Sequence, residues 1–545
     1  MIPVRFLMKT RRFLYLIPLL ALSVTSCEKY LDKMPDSRTD VDTEDKVVAL
    51  LTSAYPTTDH ILVTELLSDN VDMVLADNPY TDRFVDQIYA WEDPTETDNE
   101  GNENIWLSYN WMVETANTAL RAINELGGPH DEKLRQATAE ALLCRAYANF
   151  MLVNLYCLHY NPKTADQDMG IPILLEPEEY LIPNYDRGTV KQVYEQIDAD
   201  IQAALPMVGD NNYTAPKYHF NQQAAYAFAT RFYLYYEQPE KAIYYADRCL
   251  GNNPAAMLRD CEASANMTRT YEAVTQHYVD ASLNCNLLLA TAYSVLGMYY
   301  GPYYLYTKYT NTEYLTYSET FYGVKGELFG GSGLYGGPMV YEASNINRWV
   351  IWKLPYLFEY TDAVLGIGYR RTVYPIFTAD EVLLDRAEAY VLTEQYDKAL
   401  SDIITWSDNV RNGRIGVLTT RMIQSYYSEE LPYAYEDETG MESSAKKHLH
   451  PAFDIGPEGG LKESMIHHVL QCRRIETMQL GRRWFDIKRY GIEVVRRECN
   501  LAGVPVKWLD KLTVDDPRRA LQFPDKAIKA GLTPNPRNAK TTTEP

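Results

Sequence analysis

Small residues recur at helical spacing in two widely separated stretches of the 545-residue chain. In residues 222–254, Tyr226, Ala229 and Tyr233 precede a turn at Gln238-Pro239. Ala242, Ala246 and Cys249 follow, and Pro254 closes the unit. Residues 379–411 repeat the pattern with Ala387, Tyr390, Ala399 and Ile403. Small side chains at these offsets let two antiparallel helices approach closely, and such a pair needs neighbours to bury its remaining apolar face. Helical periodicity also covers Val47, Val48, Leu50, Leu51 and Ala54, then residues 105–126, 131–157, 189–205 and 465–498, with Gly127-Gly128-Pro129 separating the second and third runs. Residues 300–375 are rich in Tyr, Gly and Thr with weak periodicity, which predicts loops, short strands and short helices. Residues 412–465 are irregular, and the tail from 515 is punctuated by Pro.

The paired-helix pattern is that of tetratricopeptide repeats, with Thr230 where Gly or Ala is usual. The two units are too far apart in sequence for a regular solenoid. The expected fold is mainly α, with tetratricopeptide-like helical repeats and an irregular, loop-rich second half. The expected organisation is a leader (1–26), an extended segment (27–45), a helical N-terminal region (46–260) and a C-terminal region with binding loops (261–545).

The leader carries Arg5, Lys9, Arg11 and Arg12, then the apolar run Phe13–Leu22, then Ser23-Val24-Thr25-Ser26-Cys27. The run is too short to span a bilayer and fits a signal-peptide core. Small residues before a Cys resemble a bacterial lipobox, which implies cleavage before Cys27 and acylation of its thiol. One acyl chain holds a membrane marginally and several hold it stably. Of the eight Cys, the seven left after Cys27 are sparse and contain no CxxC, which excludes a disulfide framework and a zinc ribbon. Cys144, Cys157 and Cys249 fall in helical patterns and read as small core residues.

A net charge of −22 makes general nucleic-acid binding a poor fit, because that binding is driven by phosphate neutralisation. The chain has 45 Tyr against 14 Phe. Tyr combines an apolar face with a polar tip, which suits wet binding surfaces.

Several segments together resemble the SusD/RagB family of outer-membrane nutrient-binding lipoproteins. They are Cys27-Glu28-Lys29-Tyr30-Leu31-Asp32 with Pro35, Glu140–Tyr147, and Arg187-Gly188-Thr189-Val190 leading to Asp200-Ile201 and Leu205-Pro206. Near the C-terminus stand Arg474-Ile475-Glu476, Leu480–Gly491, Phe523-Pro524 and Leu532–Pro536. Gln479 stands where the family usually has Glu, and Tyr490 where Trp is common. The resemblance covers the mature chain. It implies a surface-exposed, lipid-anchored protein that captures a glycan, or for some members a peptide, and passes it to a TonB-dependent β-barrel of the SusC type. It implies no cofactor and no catalysis. An anchored glycan hydrolase and a purely protein-binding scaffold are the alternatives.

Several motifs read as structural. Arg483, Asp486 and Arg489 are spaced to pair along one helix, with Trp484, Phe485 and Ile487 in the core. Gly331–Gly336 fits GxGxxG, but Gly337-Pro338 follows where a dinucleotide site needs a helix. His448, His450, His467 and His468 read as polar loop residues rather than metal ligands. The acidic loop 93–104 offers oxygens for calcium but has Leu107 at the last EF-hand ligand position. Trp106, Tyr109 and Trp111 lie on a helix and are assigned to the core. Sugar rings present C–H faces that pack on exposed aromatic rings. Loop aromatics are therefore the candidate ligand platform, and Trp91, Tyr322, Tyr335 and Trp349 are the expected binding residues among a crowd that includes Tyr303, Tyr304, Tyr306, Tyr309, Tyr314 and Tyr317.

Overall fold

The computed structural model describes residues 41–74, 82–95, 101–178, 186–302, 308–328, 333–341, 348–412 and 417–537. The chain divides into two units, Met1–Asp42 and Thr43–Pro545, and all that follows concerns the second. The leader, Cys27 and nearly all of the extended segment lie outside the described residues, as do Tyr303, Tyr304 and Tyr306.

Helices dominate. In chain order the long ones are α1 (Asn102–Glu125), α2 (Glu132–Tyr156), α3 (Val190–Ala204), α4 (Gln222–Tyr235) and α5 (Pro239–Leu250). They continue with α6 (Ala379–Leu392), α7 (Tyr396–Val410), α8 (Leu461–Glu476) and the short α9 (Arg483–Arg489). Local chemistry starts them where the sequence predicts. Asp131 caps α2 through the Leu134 N–H at 2.8 Å, and Thr189 with Gln192 forms a capping box on α3. Helix α2 is the central element and is buried on nearly every side. Arg145 ties three helices together. It forms a two-pronged pair with Asp200 of α3 at 2.9 and 2.7 Å and donates to Asn117 of α1 at 2.9 Å.

The two repeat units share the same turn. In each, a Glu with positive φ makes the turn (Glu237 at 56°, Glu394 at 60°). The following Gln N–H then reaches back to a Tyr carbonyl at 2.8 Å, Gln238 to Tyr233 and Gln395 to Tyr390. Ala242, Ala246, Ala387, Ala399 and Ile403 are fully buried at the helix contacts. Although far apart in sequence, the units pack together, α5 against α6, and form one helical layer with α8 on its other side.

The second half is less irregular than its sequence suggests. Asn286–Tyr293, Ile367–Thr378 and Leu357–Asp362 form an antiparallel three-stranded sheet. Pro505–Leu512, Val494–Cys499, Asp72–Val74 and Tyr309–Thr310 form a second sheet in that order, which joins the N- and C-terminal regions. The periodic run 465–498 is not one helix. Helix α8 ends at Glu476, and the chain turns through positive φ at Gln479 and Gly481. A side chain at Gly481 would stand 2.3 Å from Thr64 Oγ1, so only Gly allows the backbone to pass there. Helix α9 follows, and the Val494-Val495 run becomes a strand.

The pairs expected within α9 do not form, because each charge is used elsewhere. Arg483 grips Asp69 at 2.8 and 2.9 Å, Arg489 bonds Glu388 at 2.9 Å, and Asp486 receives Arg473 at 3.1 and 2.7 Å. Lys488 lies buried at the C-terminal end of α2, where it donates to the carbonyls of Asn154 and Cys157. Trp484, Phe485 and Ile487 are buried as expected. His467 and His468 are not loop residues; both are buried on α8, and burial pushes His468 down to about 3.

Asp69 is the hub of this network. Burial alone would raise its carboxyl, but Arg474, Arg483 and Lys447 hold it well below the usual range. Asp69→Asn would leave three buried cations short of a counter-charge. A loss of about 3–5 kcal/mol is expected in urea denaturation.

A second prediction concerns pH. His60 is buried, bonds the Tyr109 hydroxyl at 2.9 Å, and is pushed down to about 3 by burial and by Arg231 and Arg482. Between about pH 6.5 and 3 the unfolded chain binds this proton and the folded chain does not, so stability falls as pH falls. In His60→Gln, the slope of unfolding free energy against pH should drop by about 1.4 kcal/mol per unit near pH 5. Neighbouring Asp59, raised to about 6 by burial, works in the opposite direction and is common to both proteins.

Candidate functional site

Three aromatic side chains come together beside the second sheet. Tyr317 lies on the short helix Glu313–Ser318, Tyr322 in the turn after it, and Trp349 on the strand Arg348–Val350. The rings of Tyr317 and Tyr322 stack with centroids 5.3 Å apart and planes 26° apart. Trp349 meets Tyr317 edge-on at 5.7 Å and 78°. Tyr317 is 55 % exposed, and its two partners are half-buried. The result is a partly open corner of two roughly perpendicular ring planes.

Buried polar bonds hold this corner rigid. Thr312 caps the short helix at the Leu315 N–H, the Trp349 N–H donates to the Asn311 carbonyl at 2.9 Å, and the Asn311 side chain takes the Thr316 hydroxyl at 2.6 Å. Between Tyr317 and Tyr322 lies Glu319, fully buried and accepting from Lys447 at 2.7 Å and Arg474 at 3.0 Å. Rings mounted on so constrained a backbone lose little freedom on binding.

Of the expected binding residues, the structure brings Tyr322 and Trp349 together. Tyr335 lies apart from their ring contacts, in the wall of a separate cavity of about 120 Å³. Trp91 is not a platform in this structure. It is 4 % exposed, its indole N–H donates to the Leu67 carbonyl at 3.0 Å, and Arg496 and Arg518 lie over its ring. It sits in the acidic-loop region, but the backbone turns there at a φ of 52°, which directs the indole inward. Tyr317 carries the most open ring of the corner, yet nothing in its sequence setting separates it from its Tyr-rich neighbours. Tyr309 is buried against Tyr89. Trp111, assigned to the core, is instead 58 % exposed on α1, and Tyr109 is buried as expected.

The acidic loop is tied to the C-terminal tail through Asp93–Arg537 at 2.9 Å and Glu103–Lys526 at 2.5 Å. Its residues 96–100 lie outside the described residues. Among the described residues, Glu44, His130 and Asp131 are the one His, Cys and acid group whose ligand atoms lie within 4.8 Å of one another. Asp131 is already committed to capping α2. The described part of the GxGxxG stretch pairs as a strand with Arg411–Asn412 and runs into Pro338 rather than a helix, so it lacks the geometry that aims amides at a phosphate.

A family model described as starch-binding associating with outer membrane (SusD-like) matches residues 29–234. No curated protein matches the chain in sequence. Solved structures match its fold along nearly the whole length. A SusD superfamily protein from Bacteroides thetaiotaomicron is 17 % identical, with a TM-score of 0.60 over 91 % of this chain and 100 % of that one. Over residues 29–234 the chain is similar to the SusD-like family, and along nearly its whole length it has the SusD-like fold. Two further SusD-like structures have the same fold. One, a SusD superfamily protein from Bacteroides fragilis, is 17 % identical with a TM-score of 0.57, covering 91 % and 100 % of the two chains. The other, described as a SusD-like carbohydrate binding protein from Bacteroides vulgatus, is 14 % identical with a TM-score of 0.57, covering 90 % and 97 %. The described residues of this SusD-like chain contain no helix long and apolar enough to cross a membrane.

Because Trp91 is a core ring, Trp91→Ala should behave as a cavity mutation. A loss of roughly 3–5 kcal/mol is expected in urea denaturation.

Proposed function

We propose that this SusD-like protein captures an oligosaccharide non-covalently at the Tyr317–Tyr322–Trp349 corner and delivers it to a TonB-dependent, SusC-like outer-membrane barrel. Acylation of Cys27 would hold it at the membrane, facing the cell exterior. The reading is supported by the family's description as starch-binding and outer-membrane associated, and by a relative of the same fold described as carbohydrate binding.

The observation that carries it is the corner itself. One sugar ring can stack on an aromatic face while its neighbour meets the perpendicular plane, and the hydroxyls remain in water. The rings are presented by a short helix, a turn and a strand, each anchored from beneath. Among the described residues, the acid nearest these rings in sequence, Glu319, is buried and paired with Lys447 and Arg474, which favours capture over cleavage.

The test is calorimetric titration of residues 28–545 with defined neutral oligosaccharides, with the mixtures assayed for cleavage. Saturable binding without products is expected. Trp349→Ala and Tyr317→Ala should each weaken it roughly tenfold, since each removes a stacking surface, and thermal melting confirms that both variants fold. Wild-type affinity in both variants would remove the corner as the site, and cleavage products would replace capture with hydrolysis.

A further inference from the structure

The cavity of about 120 Å³ lies between the 333–341 segment, residues 259–278, residues 351–353 and the end of α8. Its wall is mostly apolar, including Met267, Val274, Met339, Trp352 and Ile475. Methionine and aromatic side chains adapt to varied apolar shapes. Into this wall the fold places three cations, Arg259, Arg269 and Lys353, and one acid, Glu476.

The cations outnumber the acids in the lining. Among the described residues, no carboxylate lies within ion-pair distance of any of the three. Arg259 is 6 % exposed; its guanidinium donates to the Tyr278 carbonyl and Asn286 Oδ1, both at 2.9 Å, and its backbone N–H donates to the Asp380 carboxylate at 3.1 Å. Its Nε and the hydroxyl of Tyr278 are buried without a hydrogen-bond partner. Lys353, also 6 % exposed, donates to the carbonyls of Glu476 and Met478 at 2.6 and 3.0 Å. Arg269, at the exposed rim, donates to the Gly337 carbonyl at 2.8 Å. The Glu476 carboxylate is engaged by the Trp406 indole N–H at 2.9 Å. Elsewhere in the same core, Arg473 meets three acids and Arg474 meets two. A buried guanidinium with an unused N–H is costly unless something completes it.

We infer that this cavity binds an apolar group carrying a single carboxylate, with the apolar body against the methionine and tryptophan wall and the carboxylate toward Arg259, Arg269 and Lys353. In a chain of net charge −22, such a local positive lining is what an anion needs to enter against the overall field. Two sources share this chemistry: the apolar C-terminal residue of a short peptide, and a free aromatic or alkyl acid. The site is separate from the aromatic corner, and its failure would leave the oligosaccharide reading standing on its own titration.

The test uses residues 28–545, with Trp352 in the wall as a fluorescent reporter beside calorimetry. The probes are N-acetyl-phenylalanine, 3-phenylpropionate and the neutral N-acetyl-phenylalaninamide. Saturable binding of at least one acid is expected, with the amide about tenfold weaker or worse, because a charge-assisted contact is lost. Arg269→Glu, an exposed change, should weaken the acid by about tenfold or more. Ala265→Phe should abolish binding by filling the cavity, and thermal melting confirms that both variants fold. N-acetyl-phenylalanine binding above 3-phenylpropionate assigns the cavity to a peptide terminus, and the reverse order assigns it to a free acid. Equal binding of acid and amide, binding of neither acid, or acid binding unaffected by both substitutions would overturn the inference.

Discussion

The adjacent pair Arg473-Arg474 on α8 is the interaction on which the rest of the structure depends. Arg473 points toward the helical layer and meets Asp385 and Glu388 of α6 and Asp486 of α9, at 3.1, 2.5 and 2.7 Å. Arg474 points toward the N-terminal region and meets Asp69 and Glu319 at 3.3 and 3.0 Å. Two neighbouring residues on one helix thus join the repeat layer to the loops that bear the aromatic corner. Burying so many ions has a large desolvation cost, and well-packed apolar residues could serve stability as well. What the ions add is direction. A guanidinium grips a carboxylate in one orientation, whereas apolar contacts tolerate sliding.

That directionality reaches the site through Glu319. Lys447 and Arg474 hold its carboxylate, and Gln471 of α8 donates to its carbonyl at 2.9 Å. Burial would raise the Glu319 carboxyl, yet Lys447 and Arg474 hold it below the ordinary range, so the contact is ionic across neutral pH. Tyr317 lies two residues before it and Tyr322 three after. The platform is therefore part of the ionic core, and only its ring faces reach solvent.

Much of the fold was legible in the sequence because helix pairing writes itself locally. Ala242, Ala246 and Ala399 mark close contacts, and Thr189 with Gln192 marks a helix start. The arginines of the C-terminal motif were legible as structural but not in their pairings. Arg483 spaced three from Asp486 looks like a local pair, and its actual partner, Asp69, lies over four hundred positions away, where no local pattern connects them. The helix predicted through 465–498 failed for a similar reason: only the crossing helix at Ile61–Leu67 shows why the chain must turn at Gly481. The aromatic corner, as an arrangement of side chains, was half legible. Ring chemistry and loop position selected Tyr322 and Trp349, but the same criteria selected Trp91, whose positive φ turns it into the core. Sequence shows which rings can stack on a sugar, and only the backbone shows which way they face.

The 333–341 segment borders both the aromatic corner and the cavity. Tyr322 and Trp349 offer flat ring faces, with the buried Arg411 guanidinium 5.9 Å from the Tyr322 ring centroid. Toward Arg259 and Lys353 the cavity offers an apolar wall in which cations outnumber acids. Arg269 links the cavity to that segment, since its guanidinium holds the Gly337 carbonyl from the rim. A carboxylate that drew Arg269 inward would compete with this bond, and Gly337 lies close to the Tyr322 hydroxyl, 3.6 Å from where a Cβ would stand. An anion in the cavity and a sugar on the corner would thus both act on one short segment. Any coupling between them must be reciprocal, each ligand altering the affinity of the other by the same factor.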